Sequence, residues 1–200
     1  MRIGIYGGTF DPVHFGHLLL AEQCREQCRL DQVWFVPAGV PPHKQSAGIT
    51  PGAQRAEMLE FALAGASDFA VDRREIKRSG PSFTVETLRE LRHERPEDEL
   101  FFLIGADSLH DLPTWREPRE IATLATLVVV NRGHAPSPAV DTLIPHLGAA
   151  AVARIQIVEM PGIEFSSRDM RRRVREGRSI RFMTPRAIEQ YLLEHQLYRD

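Results

Sequence analysis

Two histidines, His14 and His17, stand three residues apart in GGTFDPVHFGH, the stretch from Gly7 to His17. The stretch contains no cysteine, serine or lysine to attack a substrate. Such a loop is better suited to holding a charged group than to forming a covalent intermediate. Gly7 and Gly8 allow positive φ and close backbone approach to a ligand. A helix expected to begin near Gly16-His17 would present free N–H groups and the positive end of its dipole, a setting that suits phosphate. The two imidazoles would add donors. A metal reading needs a third ligand, for which Asp11 or His43 is available, but the pattern matches no known zinc motif. Nor do the glycines form the dinucleotide-binding fingerprint or a Walker P-loop. Anion binding is the favoured chemistry.

Three further clusters carry polar groups of the same kind. Pro37 to Lys44 reads PAGVPPHK and ends in His43 and Lys44, which suit phosphate contacts as well as they suit a solvated loop. Phe165 to Arg171 reads FSSRDMR, where Ser166 and Asp169 fit a capping box at the start of an arginine-rich helix. Seven arginines lie between Arg168 and Arg181. Most fit a solvated helix face, and Arg168 and Arg171, nearest the helix start, are the candidates for anion contact. Finally, Gly105-Ala106-Asp107 follows an apolar run, a place from which a carboxylate can accept from ribose hydroxyls. Trp115 beyond it could stack on an aromatic ring or simply pack.

The elements that must position these residues alternate along the chain. Apolar runs at 2–6, 33–36, 69–71, 100–104, 127–130 and 155–158 read as strands. Helical patterns fall at 18–28, 51–64 (with Thr50 as N-cap), around 85–91, and at 118–125, 167–176 and 185–195. Nearly continuous apolar strands separated by helices predict a doubly wound, Rossmann-like α/β fold with a parallel sheet covered on both faces. One domain over 1–200 is expected, with 166–200 a helical C-terminal subregion. In such folds ligands bind beyond the carboxyl ends of the strands, where the candidate residues fall.

Composition excludes several classes. A formal net charge of −2 over 200 residues gives no electrostatic case for nucleic acid or membrane binding. No apolar run approaches the length of a membrane helix and no signal peptide is evident, so a cytoplasmic protein is expected. Cys24 and Cys28, four apart, have no second pair to complete a zinc site; a redox pair is the alternative, and two small residues on a buried helix face are expected, because free cysteine is among the most buried residue types.

Together these motifs resemble a known family. GGTFDPVHFGH resembles the HxGH signature of the nucleotidyltransferase superfamily, and FSSRDMR resembles its second motif, ISSTxIR. Within it, Pro41-Pro42-His43-Lys44, the segment GPSFTVETL from Gly80 to Leu88, Ile104-Gly105-Ala106-Asp107-Ser108 with Trp115, and Val129-Val130-Asn131-Arg132 resemble the bacterial nicotinate-nucleotide adenylyltransferase branch. Phe165 replaces the usual isoleucine. Arg168 replaces the usual threonine and removes a hydroxyl that would touch phosphate.

The resemblance implies transfer of the adenylyl group of ATP to nicotinate mononucleotide, giving deamido-NAD and pyrophosphate without a covalent enzyme intermediate. Substrate phosphate is then the nucleophile, which accounts for a loop that supplies none. It implies His14, His17, Lys44 and Arg171 as the catalytic set. ATP would meet Gly7, Gly8, Thr9, Phe10, Gly105, Asp107, Ser166, Ser167 and Arg168 as well, with Asp107 on the ribose. Nicotinate mononucleotide would meet His43, Lys44, Thr84, Trp115 and Arg132. Trp115 would stack on its ring, backbone amides near Thr84 and Trp115 would take its carboxylate, and Arg132 its phosphate. Mg²⁺ would be held mainly by the phosphates and water. Another acceptor (nicotinamide mononucleotide or phosphopantetheine) and a non-catalytic nucleotide sensor are the rival readings. Self-association into a homo-oligomer stays open.

Overall fold

The computed structural model describes residues 1–40, 48–133 and 138–199. His43 and Lys44 lie outside the described residues. Among those described, six strands form one parallel sheet: β1 (Arg2–Gly8), β2 (Gln32–Pro37), β3 (Phe69–Val71), β4 (Glu99–Gly105), β5 (Thr126–Arg132) and β6 (Gln156–Met160). Their spatial order is β3-β2-β1-β4-β5-β6. The helices are α1 (Phe15–Gln27), α2 (Gly52–Ala62), α3 (Arg74–Lys77), α4 (Thr84–Glu94), α5 (Ala106–Asp111), α6 (Pro118–Leu124), α7 (Ile144–Leu147), α8 (Ala149–Val152), α9 (Ser167–Arg175) and α10 (Arg186–Glu194). The doubly wound α/β expectation is met.

Strand alternation builds two cores, one on each face of the sheet. Phe101 and Leu103 of β4 and Val128 and Val130 of β5 join Leu20, Ala21 and Cys24 of α1 on one side. Phe102, Ile104, Leu127 and Val129 turn the other way, toward Val85, Leu88 and Leu91 of α4 and Ile121 of α6. Each of the valine, leucine, isoleucine and phenylalanine side chains among them is worth roughly 1.5–3 kcal/mol relative to exposure. Met170 of α9, Ile180, and Ile188, Tyr191 and Leu192 of α10 belong to the α1 core, so the C-terminal helices are anchored on the α1 face of the sheet. Cys24 and Cys28 are buried free thiols, and burial pushes both thiol pKa values up.

The expected strands are all present: β3 keeps its expected bounds, β6 is shifted toward its C-terminal end, and the other four extend one or two residues further, because an apolar run marks only a strand's buried middle. Thr50 is a correction. Pro51 occupies the N-cap of α2, and Thr50 instead donates its backbone N–H to Asp11 and its hydroxyl to Tyr198. The short helices α3, α5, α7 and α8 carry too few residues for an apolar period to announce them. Strand order reverses between β1 and β4, which opens a crevice at the carboxyl ends of these two neighbours.

Candidate functional site

The chain leaves β1 at Gly8, turns through residues 9–14 and enters α1. Gly7 and Gly8 do not adopt positive φ, contrary to expectation. Gly8 is required for another reason: a Cβ there would lie 2.7 Å from the Phe10 ring. The left-handed conformation falls on Phe10 itself, at φ 49°. Its ring is buried against Tyr6, Phe35 and His17, with the Tyr6 and His17 rings at 5.3 and 5.1 Å. Phe10, expected at ATP, is thus a floor beneath His17.

His14 is the N-cap of α1 and His17 its third residue. The His14 backbone N–H donates to His17 Nδ1 at 3.2 Å. An accepting Nδ1 leaves the hydrogen of a neutral imidazole on Nε2, so His17 is set as a donor through that atom. The two rings stack at 3.7 Å, 18° from parallel. Burial, with the Arg132 guanidinium nearby, pushes the His14 pKa down to about 4, and the ring is neutral at physiological pH.

The start of α9 faces this loop. Ser166 caps the helix by accepting from the Asp169 N–H at 3.1 Å, which is half of the expected capping box; the Asp169 carboxylate accepts from Arg172 instead. The Ser167 hydroxyl donates to the Pro12 carbonyl at 2.9 Å, and Arg171 Nη1 donates to the Asp11 carbonyl at 2.6 Å. Thr9, Asp11, His14, His17, Arg132, Ser166, Ser167, Arg168 and Arg171 line a cavity of about 620 Å³. Two helix N-termini and three guanidinium groups border it. The Asp11 carboxylate is engaged by Tyr198, Thr50 and Arg171. Such an arrangement suits an anion.

A second cavity of about 590 Å³ lies on the other side of Thr9 and includes Gly7, Gly8, Phe83, Thr84, Phe102, Trp115 and Arg116. Trp115 meets Phe102 edge-on at 6.0 Å and leaves its ring on the lining. Thr84 opens α4, so free helix-start amides sit at this lining. The Trp115 amide, by contrast, already donates to the Leu112 carbonyl at 3.1 Å. Glu75 and Ser82 also line the cavity. Glu75 is held by the Thr87 hydroxyl at 2.6 Å, and burial pushes its carboxyl pKa up.

The sequence-predicted residues thus divide. His14, His17, Thr9, Ser166, Ser167, Arg168, Arg171 and Arg132 come together in the first cavity, and Gly7, Gly8, Thr84 and Trp115 in the second. Gly105 caps the short α5 beside the Arg132 guanidinium, and Asp107 is exposed in that helix's first turn, outside both linings. Sequence reading missed Tyr198, whose hydroxyl donates to Asp11 across the length of the chain. It also missed Arg55, buried beneath Thr9. Neither lies in a motif, and no local spacing announces a contact made over such separations.

Residues 5–173 match the cytidylyltransferase-like family. A Thermomicrobium roseum protein named probable nicotinate-nucleotide adenylyltransferase is 48% identical over 99% of this chain and 92% of its own length. A Thermus thermophilus protein of the same name is 45% identical over the whole of both chains. The solved Plasmodium falciparum nicotinic acid mononucleotide adenylyltransferase complexed with NaAD shares the fold: TM-score 0.80 at 18% identity, covering 98% of this chain and 97% of its own.

Proposed function

This chain belongs to the nicotinate-nucleotide adenylyltransferase family of cytidylyltransferase-like proteins, and we propose that it joins ATP to nicotinate mononucleotide, forming deamido-NAD and releasing pyrophosphate. The observation that carries this reading is Thr9, a wall common to a basic cavity and an aromatic one. Two substrates seated on either side of one residue have their reacting phosphates held close.

In this reading an oxygen of the mononucleotide phosphate attacks the α-phosphorus of ATP. The bond from that phosphorus to the bridging oxygen breaks, and its electron pair leaves with pyrophosphate. Positioning and charge stabilisation supply most of the catalysis in such transfers. His17 would donate through Nε2 to the α-phosphate, and neutral His14 would brace it by stacking. Lys44, Ser166, Ser167, Arg168 and Arg171 would steady the β- and γ-phosphates. Gly105 and Asp107 are assigned to the adenosine side. Trp115 would stack on the nicotinate ring, and the Thr84 amide at the start of α4, with Arg116 on the same lining, would meet its carboxylate. Arg132 and His43 are assigned to the mononucleotide phosphate.

Mg²⁺ fits as an ion carried in on the triphosphate. The described residues include no group of three His, Cys, Asp or Glu that could hold a metal, and Asp11 is already engaged by Tyr198. Its contribution would be to neutralise phosphate charge. No helix among the described residues is long and apolar enough to cross a membrane. A cytoplasmic setting, without nucleic-acid partners, goes with the proposal.

One assay tests it. The purified protein, ATP and Mg²⁺ are offered nicotinate mononucleotide, nicotinamide mononucleotide or phosphopantetheine, and pyrophosphate is followed. Release fastest with nicotinate mononucleotide is expected. Turnover only with phosphopantetheine, or with no acceptor at all, overturns the reading.

A further inference from the structure

Arg55 sits within α2 with 1% of its surface exposed, the largest fully buried side chain among the described residues. Its hydrogen-bond partners are backbone carbonyls. Nη1 donates to Thr9 at 2.7 Å, Nη2 to Ala38 at 2.5 Å and to Gly39 at 3.4 Å, and Nε to Thr50 at 2.8 Å. Three of these carbonyls, those of Thr9, Ala38 and Gly39, lie where the β1–β2 ladder runs out: Ala38 N–H still reaches the Gly8 carbonyl at 2.9 Å, and beyond it the ladder ends. Carbonyls at such a point have lost their sheet partners and are partly shielded from water, so a donor from elsewhere in the chain completes them. The planar guanidinium supplies it in fixed directions, which an ammonium on a flexible stem does not.

We propose that Arg55 is a positioning residue that fixes the Thr9 wall between the two cavities, and with it the relative placement of the two substrates. It touches neither cavity in the described structure; it acts through the Thr9 carbonyl from behind and through Ala38 and Gly39 alongside. Gly39 is itself tied down: its N–H donates to the Ser82 hydroxyl at 2.9 Å, and its backbone lies so close to Glu75 that a Cβ there would sit 2.2 Å from the Glu75 carbonyl oxygen. One guanidinium thereby couples the exit of β1, the exit of β2 and the entry to α2. As far as it names substrates, the inference rests on the adenylyl-transfer reading.

The test compares the wild type with Arg55→Lys and Arg55→Met by three measurements. Amide hydrogen exchange in ligand-free protein is expected to speed up about tenfold or more at residues 8–10 and 38–39 together, with the α4 and β5 amides unchanged. Affinities for ATP alone and nicotinate mononucleotide alone should change little, because each cavity keeps its own lining. Affinity for deamido-NAD, which spans the wall, and kcat should each fall by about 10²-fold, the cost of misplacing reacting groups. Lysine is expected to recover folding more fully than kcat, and it carries the test if the methionine variant fails to fold. Unchanged exchange at the two exits, or a kcat that stays intact, overturns the assignment. A wild type that turns over no acceptor defeats the adenylyl-transfer reading instead, and the exchange data then decide the role of Arg55 by themselves.

Discussion

The His14 and His17 imidazoles lie face to face at 3.7 Å while the His14 backbone N–H donates to His17 Nδ1. One histidine thus sets both the tilt and the tautomer of the other. His17→Ala should lower kcat by about 10²–10³-fold, the loss expected when a preorganised transition-state donor is removed. Steady-state kinetics beside a thermal melt check this. A variant that melts earlier yet turns over normally would reduce His17 to a helix cap.

Acid should cost the protein stability through His14. Its folded pKa of about 4 lies below the unfolded value of 6.5, so the unfolded chain takes up the proton first. The stabilisation is fully present above pH 6.5 and is lost as pH falls toward 4, amounting to about 3 kcal/mol at most. Denaturant unfolding from pH 7 to pH 4 should show that slope, and His14→Asn should flatten it. Arg132→Gln should move the His14 transition upward, because the guanidinium is one cause of the depression.

Tyr198→Phe removes only the hydroxyl that binds Asp11 and Thr50. Burial and the Asp11 charge push that phenol's pKa up, so it remains a donor throughout the working range. The loss should be about 1–3 kcal/mol, since a buried carboxylate oxygen is left short of a partner. Urea unfolding reads it, and kcat should fall alongside through the loosened loop.

Trp115→Ala should separate the substrates. KM for nicotinate mononucleotide is expected to rise by about tenfold, with KM for ATP unchanged, since the ring lines only the aromatic cavity. Equal changes in both KM values would mean that Trp115 only packs against Phe102.

The fold was largely legible because strands such as Leu100–Ile104 are buried on both faces and spell that out in continuous apolar residues. The site was legible where chemistry and spacing sit together: His14 with His17, Ser166 with Asp169. It was not legible where the partner is a carbonyl far along the chain. Arg55 has the look of an ordinary helix residue, and only folding brings four carbonyl oxygens around it. The positive φ expected of the glycine pair is absent, and the reason for Gly8 was hidden in a similar way. Sequence shows that Gly8 is small, but not that the Phe10 ring lies over it.

The loop at residues 9–14 is held from far downstream: Ser167 binds Pro12, Arg171 and Tyr198 bind Asp11, and Thr184 donates to the Val13 carbonyl at 2.8 Å. During synthesis the ribosome makes the loop long before it makes these partners. At ordinary elongation rates the delay is on the order of ten seconds. Until then the nascent chain can pair β1 with β2, but it cannot fix the histidine loop. Nucleotide binding is therefore acquired late, and a stalled or truncated chain should be rich in secondary structure and unable to bind ATP.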